Sequence, residues 1–299
     1  MANFEPRGVY TALVTPFTDD GEKVDVAAFE ALVAAQIDAG VSGLVPCGTT
    51  GETPTLTEDE QRLVIARTAA IVRGRIPVVA GTGTNNTKSS ITRSLAALRA
   101  GADAVMITMP YYNKPSQAGM VRHVELIAQA VSAPIILYNI PGRCGVELSV
   151  ESTLEILERC PNVVGIKDAT GGLSYCQGLL RQAGDRVSLL CGDDPLTLPM
   201  MSVGAKGVIS VTSNLYPREV AEVVEDALAG RWEQARKKHL ALVPVHRILF
   251  IEPSPQPIKA ALALKGASRA VVRSPLIEAA PETRQALAQV FQEYESRRT

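Results

Sequence analysis

The sequence predicts an α/β fold, a (βα)8 barrel with a C-terminal helical extension. Three observations carry that reading: eight short apolar runs, helical patterns between most of them, and a chain of 299 residues. The runs are rich in Val, Ile and Leu and lie at 8–15, 43–47, 77–80, 104–109, 134–139, 163–168, 187–191 and 207–212. Strands that are apolar on both faces suit a parallel sheet under helical cover, and eight alternating units suit closure into a TIM barrel. A barrel of this kind takes about 250 residues as one domain, so the chain has residues left for an appendage.

The elements follow in order. Stretches 27–38 (AAFEALVAAQID), 89–99 (SSITRSLAALR) and 120–130 (MVRHVELIAQA) carry apolar residues at helical spacing. Thr57 with Glu60 three residues later reads as a capping box that opens a helix reaching Val72. Gly101, in Ala-Gly-Ala-Asp at 100–103, and Gly204, in Val-Gly-Ala-Lys at 203–206, each fall after a helix and before a strand, where a left-handed C-cap belongs. Past the eighth run, 219–228, 232–242, 258–264 and 282–294 read as helices, interrupted by the Pro-rich Glu-Pro-Ser-Pro-Gln-Pro at 252–257. With no separate sheet and no long linker, the division is a catalytic barrel over 1–225 and a helical extension over 226–299 packed on it.

Composition narrows the function. There are 30 basic and 31 acidic residues, a balance that offers no nucleic-acid surface and no polybasic membrane anchor, so a small ligand is expected. Cys47, Cys144, Cys160, Cys176 and Cys191 are odd in number and form no CxxC pair, which argues against a disulfide framework and a zinc site and for a reducing compartment. The N-terminal MANFEPRGVY lacks the apolar core of a leader, and no segment nears the roughly 18 uninterrupted apolar residues of a membrane span. The expectation is a soluble cytoplasmic protein.

Barrel active sites lie at the C-terminal ends of the strands. Here those ends are polar: Gly-Thr-Thr-Gly-Glu at 48–52, Gly-Thr-Gly-Thr-Asn-Asn at 81–86, Pro-Tyr-Tyr-Asn at 110–113, Tyr138-Asn139 with Arg143 after them, Lys167, and Gly-Asp-Asp at 192–194. The run at 163–168 closes on a lysine that an apolar run does not need. Strand alternation puts Val163, Gly165 and Lys167 on one side and Val164, Ile166 and Asp168 on the other, so the amine points away from its neighbouring carboxylate. If that side is the barrel interior, desolvation favours the neutral amine, a nucleophile able to form a Schiff base with a keto acid. Composition alone favours the plainer alternative, a solvated lysine at a strand end.

The other candidates carry similar alternatives. Tyr138 faces inward one strand from Lys167, where a phenol can move protons to and from a carbinolamine; taken singly, a core tyrosine with a satisfied hydroxyl is the commoner case. Arg143 can clamp a carboxylate in bidentate fashion or lie solvated on its loop. Gly-Thr-Thr-Gly can offer backbone N–H groups and two hydroxyls to an anion, or be an ordinary turn. Competing chemistries have less support. His123, His239 and His246 fall in helical stretches without metal-ligand spacing, no GxGxxG or GxxxxGK[ST] pattern accompanies Gly81-Thr82-Gly83, and there is no GxSxG elbow.

Taken together, GTTGE at 48–52, PYYNKPSQ at 110–117, YNIPGR at 138–143, GIKDAT at 165–170, CGDD at 191–194, GVISVTSN at 207–214 and the Glu-Pro-x-Pro-x-Pro-x-Lys run at 252–259 resemble the dihydrodipicolinate synthase family. That family belongs to the pyruvate-dependent class I aldolase superfamily, which also holds N-acetylneuraminate lyase, and the resemblance covers nearly the whole chain in order. It implies that Lys167 forms a Schiff base with pyruvate, whose enamine attacks L-aspartate 4-semialdehyde to give, after cyclisation, the heterocyclic precursor of lysine in the diaminopimelate route. It assigns Thr49, Tyr138 and Tyr112 to a proton relay, Tyr112 reaching in from an adjacent subunit, and gives Thr50 the pyruvate carboxylate and Arg143 that of the aldehyde. Gly192 and Ile209 match backbone positions lining the pocket. No cofactor and no metal are implied, and the usual assembly is a homotetramer, a dimer of dimers.

Two departures qualify the resemblance. Cys144 stands where the family usually has threonine. At the positions that bind lysine in feedback-inhibited members, this chain has Glu58, Gln61 and Ser89, with Asn85 and Tyr111 retained, which implies weak or absent inhibition by lysine. Arg143 separates the synthase from a 2-keto-3-deoxy sugar-acid aldolase or dehydratase of the same superfamily, because the sugar-acid lyases tend to carry smaller or neutral residues there. A non-catalytic ligand-binding barrel has no need of the full relay.

Overall fold

A computed structural model describes residues 4–297. The first three residues of the stretch read for a leader and the last two of the extension lie outside them. Eight strands, β1 Gly8–Ala12, β2 Gly43–Val45, β3 Val79–Gly81, β4 Ala104–Thr108, β5 Ile135–Asn139, β6 Val163–Asp168, β7 Ser188–Cys191 and β8 Gly207–Ser210, form one sheet in the order β2-β1-β8-β7-β6-β5-β4-β3. Every pairing is parallel. The ring closes between β2 and β3 through the parallel bridge of Leu44 with Val78 and the bond from the Gly81 N–H to the Pro46 carbonyl at 3.0 Å. This is the expected TIM barrel.

The helices are α1 Val26–Asp38, α2 Glu58–Val72, α3 Thr87–Arg99, α4 Gln117–Ala130, α5 Pro141–Cys144, α6 Val150–Arg159, α7 Ser174–Ala183, α8 Thr197–Met201, α9 Pro217–Leu228, α10 Trp232–Ile248, α11 Gln256–Leu264 and α12 Pro281–Ser296. The Thr57–Glu60 capping box opens α2, each residue bonding the backbone N–H of the other. Gly101 and Gly204 have φ of 104° and 115°, values that a side chain would strain. Among the described residues no helix is long and apolar enough to cross a membrane.

Alternation along the strands sorts the interior into two cores. Outward side chains such as Val9, Leu44, Ile107, Leu137 and Ile166 pack under the helices, while Tyr10, Ala12, Val45, Val79, Ala104, Met106, Ile136, Tyr138, Leu190 and Ile209 fill the barrel. The expected alternation of β6 needs one correction. Its pairing with β5 slips, Ile135 opposite Val163 but Ile136 opposite Gly165, so a bulge takes up Val164. Val163 therefore joins the outer core, and only Gly165 and Lys167 share the interior face.

The ends also differ from expectation. Strand β2 stops at Val45 because Cys47 takes a left-handed φ of 57°, which no strand continues through. Helix α10 continues past Leu242 to Ile248 with Pro244 inside it. Helix α10 packs on α9 and on α12, and α11 packs on α12, while Ser254, Pro255, Pro275 and Leu276 reach the cavity at the barrel mouth.

Candidate active site

Lys167 and Tyr138 are register partners on adjacent strands, and the Lys167 Nζ lies 4.2 Å from the centroid of the Tyr138 ring. Each is 5% exposed. Tyr138 belongs to the barrel interior, so the amine is interior as well. Asp168 turns the other way. It is fully buried beside Tyr175 and Cys176 of α7, accepts the Thr170 N–H at 2.9 Å, and burial pushes its carboxyl above the usual range. The lysine is thus held in a buried interior, without a carboxylate partner among the described residues, next to a phenol.

Gly192, which follows β7, covers the lysine stem. Its N–H donates to the Asp168 carbonyl at 2.7 Å, and a Cβ there would lie 3.0 Å from the Lys167 Cε. Ile209, 1% exposed, packs in the barrel interior two strands from Lys167.

A cavity of about 340 Å³ opens at this end of the barrel. Thr49, Tyr138 and Arg143 line it. Lys167, Thr50, Gly192 and Ile209 stand outside its lining, the Tyr138 ring touching both the cavity and the amine. Thr50 is buried in the same turn as Thr49. That turn closes on itself, the Gly51 and Glu52 N–H groups donating to the Gly48 and Thr49 carbonyls at 3.1 Å each. A 3-10 turn at Thr53–Thr55 separates it from α2, so it is not itself the start of a helix.

Arg143 sits on α5 at the rim, exposed, with Nη2 3.3 Å from the Ser254 carbonyl. It has no ion-pair partner among the described residues, which leaves its charge available to a ligand. Cys144 is buried beside it, 3.4 Å from the Thr108 hydroxyl, and burial raises its thiol. Tyr112 is not brought to the cavity of its own chain. It is 87% exposed with a left-handed φ of 70°, while Tyr111 lines the cavity instead.

Sequence reasoning missed two parts of this site. Ser254, Pro255, Pro275 and Leu276 of the extension form one wall, although the proline-rich stretch gave no sign of where the chain would fold back. Glu52, quoted within its motif but given no part in the chemistry, lines the cavity and is paired with Lys259. The signal that could have found it is a charged residue ending each of two motifs.

A family model described as the Dihydrodipicolinate synthetase family matches residues 5–294. The chain belongs to that family. It is 56% identical over 298 residues to a 4-hydroxy-tetrahydrodipicolinate synthase of Sorangium cellulosum, covering 100% of this chain and 99% of that relative. The structure of the 4-hydroxy-tetrahydrodipicolinate synthase from Methylacidiphilum fumariolicum SolV superposes with a TM-score of 0.95 at 42% identity, over 98% of this chain and 97% of that one. The chloride-inhibited dihydrodipicolinate synthase from Acinetobacter baumannii, a complex with pyruvate, superposes at 0.94 with 39% identity, over 97% and 99%.

Proposed function

We propose that this chain is a Schiff-base-forming lyase that condenses pyruvate with L-aspartate 4-semialdehyde to 4-hydroxy-tetrahydrodipicolinate, the first committed step of the diaminopimelate route to lysine. The observation that carries it is the interior Lys167 lying on the Tyr138 ring at the mouth of a barrel of this family. The Lys167 amine gives up a proton and adds to C2 of pyruvate, and the carbinolamine loses its oxygen as water to leave an iminium. That iminium is an electron sink, so loss of a C3 proton gives the enamine without a metal. The enamine carbon attacks the aldehyde, whose oxygen gains a proton; attack by the substrate's own amine at C2 then closes the ring and releases Lys167.

Each proton transfer needs a hydroxyl within reach. Tyr138 and Thr49, both on the cavity wall, serve two of them, and Tyr112 serves from an adjacent subunit, in keeping with its exposure on this chain. Thr50 holds the pyruvate carboxylate, Arg143 the carboxylate of the aldehyde, and Gly192 and Ile209 shape the pocket. The working assembly is a homotetramer, a dimer of dimers, in the cytoplasm, with residues 1–225 as the catalytic barrel and 226–299 as the extension that roofs it. Every relative reported above carries the synthase name, and no observation favours a sugar-acid aldolase.

Borohydride trapping with pyruvate tests the reading. Mass mapping is expected to find a pyruvate-derived adduct on Lys167, followed by turnover with aspartate semialdehyde and not with keto-deoxy sugar acids. An unmodified Lys167 would overturn it.

A further inference from the structure

Two residues that the proposed reaction does not use, the glutamate closing the motif at 48–52 and the lysine closing the run at 252–259, meet in the fold. Lys259 is 0% exposed and Glu52 2%. The Lys259 Nζ donates to the Glu52 carboxylate and, at 2.7 Å, to the Val271 carbonyl, and it lies 4.0 Å over the Phe17 ring. The second Glu52 oxygen accepts the backbone N–H of Arg273 at 2.9 Å.

Arg273 extends this contact across the mouth. Its guanidinium grips Glu60 with two bonds of 2.8 and 2.6 Å and donates to the carbonyls of Gly21 at 2.7 Å, Glu22 at 2.8 Å and Thr55 at 3.0 Å. Glu52 holds a left-handed φ of 55°, a strained conformation for a residue with a side chain, and its N–H closes the turn onto Thr49. A buried ion pair gives little stability over apolar side chains of the same size. A pair that is buried, strained and tied to the turn bearing Thr49 and Thr50 therefore points to geometry more than to stability.

We infer that Lys259, Glu52 and Arg273 are positioning residues, an ionic clamp by which the C-terminal extension fixes the Thr49–Thr50 turn for the pyruvate carboxylate. The catalytic part of this inference rests on the proposed pyruvate chemistry; the clamp itself is mechanical and can be read without it.

The variants are K259M, E52Q, the paired E52Q/K259M, and R273K. Each single change of the pair strands a buried charge and lowers Tm, whereas the paired variant buries none and regains most of that loss. The KM for pyruvate is expected to stay raised about tenfold in the paired variant, more than the KM for the aldehyde, because a loosened turn misplaces one substrate. R273K keeps the charge and the backbone bond to Glu52 but loses most of the guanidinium bonds, so its Tm is read beside its KM for pyruvate, which is expected to show a smaller rise. Amide exchange over 48–56 is expected to quicken in R273K and in the paired variant, and in R273K also around 21–22, whose carbonyls the guanidinium holds. A parent-like KM for pyruvate in R273K and in a paired variant of recovered Tm would overturn the positioning role, and unchanged exchange over 48–56 would overturn the clamp. Failure of the parent to trap pyruvate would remove the reaction and leave the exchange result standing.

Discussion

Gly192→Ala tests whether the site depends on the placement of a single amine. A Cβ built at 192 lies 2.8 Å from the Ala169 Cβ, 3.0 Å from the Asp168 carbonyl oxygen and 3.0 Å from the Lys167 Cε. The first two are fixed to the backbone of β6 and the residue after it, so neither can yield much. The third is the far end of a flexible side chain and moves most readily, while the 2.8 Å contact also forces a small backbone shift at 192 or 169. Overpacking of this kind costs about 1–3 kcal/mol, or about 2–12 °C in Tm at about 2–4 °C per kcal/mol. The loss in catalysis is larger, because a displacement of roughly 1 Å at a reacting atom can lower the rate about 100-fold. The assay is the rate of borohydride-trapped pyruvate on Lys167, followed by mass spectrometry beside thermal unfolding of the same sample. Expected are a folded protein with a Tm lowered by no more than about 12 °C and a trapping rate reduced about 100-fold. A parent-like trapping rate would refute the placement of Lys167 against Gly192.

Three further outcomes follow. Arg143→Ala removes a charge that has no ion-pair partner among the described residues, and losing hydrogen bonds to a charged group, about 1.5–3 kcal/mol, lowers kcat/KM for the aldehyde about tenfold to a hundredfold while pyruvate trapping on Lys167 stays at the parent rate. Sub-millimolar L-lysine leaves the steady-state rate unchanged: the Gln61 amide is spent on the Leu56 and Thr53 carbonyls at 3.1 and 3.4 Å, and clear inhibition would contradict this. Burial pushes His123 and His246 down to about 4, below the roughly 6.5 of an unfolded chain, so the fold keeps them neutral; their contribution is complete above about pH 6.5 and is lost as the pH falls toward 4, where the unfolded chain takes up protons first. Denaturant titration between about pH 7 and 5 is expected to show that decline, and His246→Gln to flatten it.

What the sequence made legible is what local physics decides. The eight strands and the capping box of α2 are set by periodicity and by side chains that reach only a few residues, so their positions in the chain suffice to place them. Lys167 was legible for the same reason: alternation put it opposite Asp168, and the bulge at Val164, which reversed Val163, lies too early in β6 to reverse the lysine. What stayed hidden depends on contacts across the whole chain. Nothing around Glu52 shows that its partner lies at Lys259, or that Pro275 and Leu276 complete the cavity wall, because these meetings are set by how α10 and α11 return over the mouth. Helix α10 shows the limit plainly. Pro244 argues for a stop, yet Val245, His246 and Leu249 are all buried, and the Thr212 hydroxyl meets the His246 Nδ1 at 2.8 Å. A proline inside a helix costs about 3 kcal/mol, which a few buried side chains at about 1.5–3 kcal/mol each outweigh. Packing therefore overrules the local signal there, and the same extension of α10 carries the chain to the residues that roof the site.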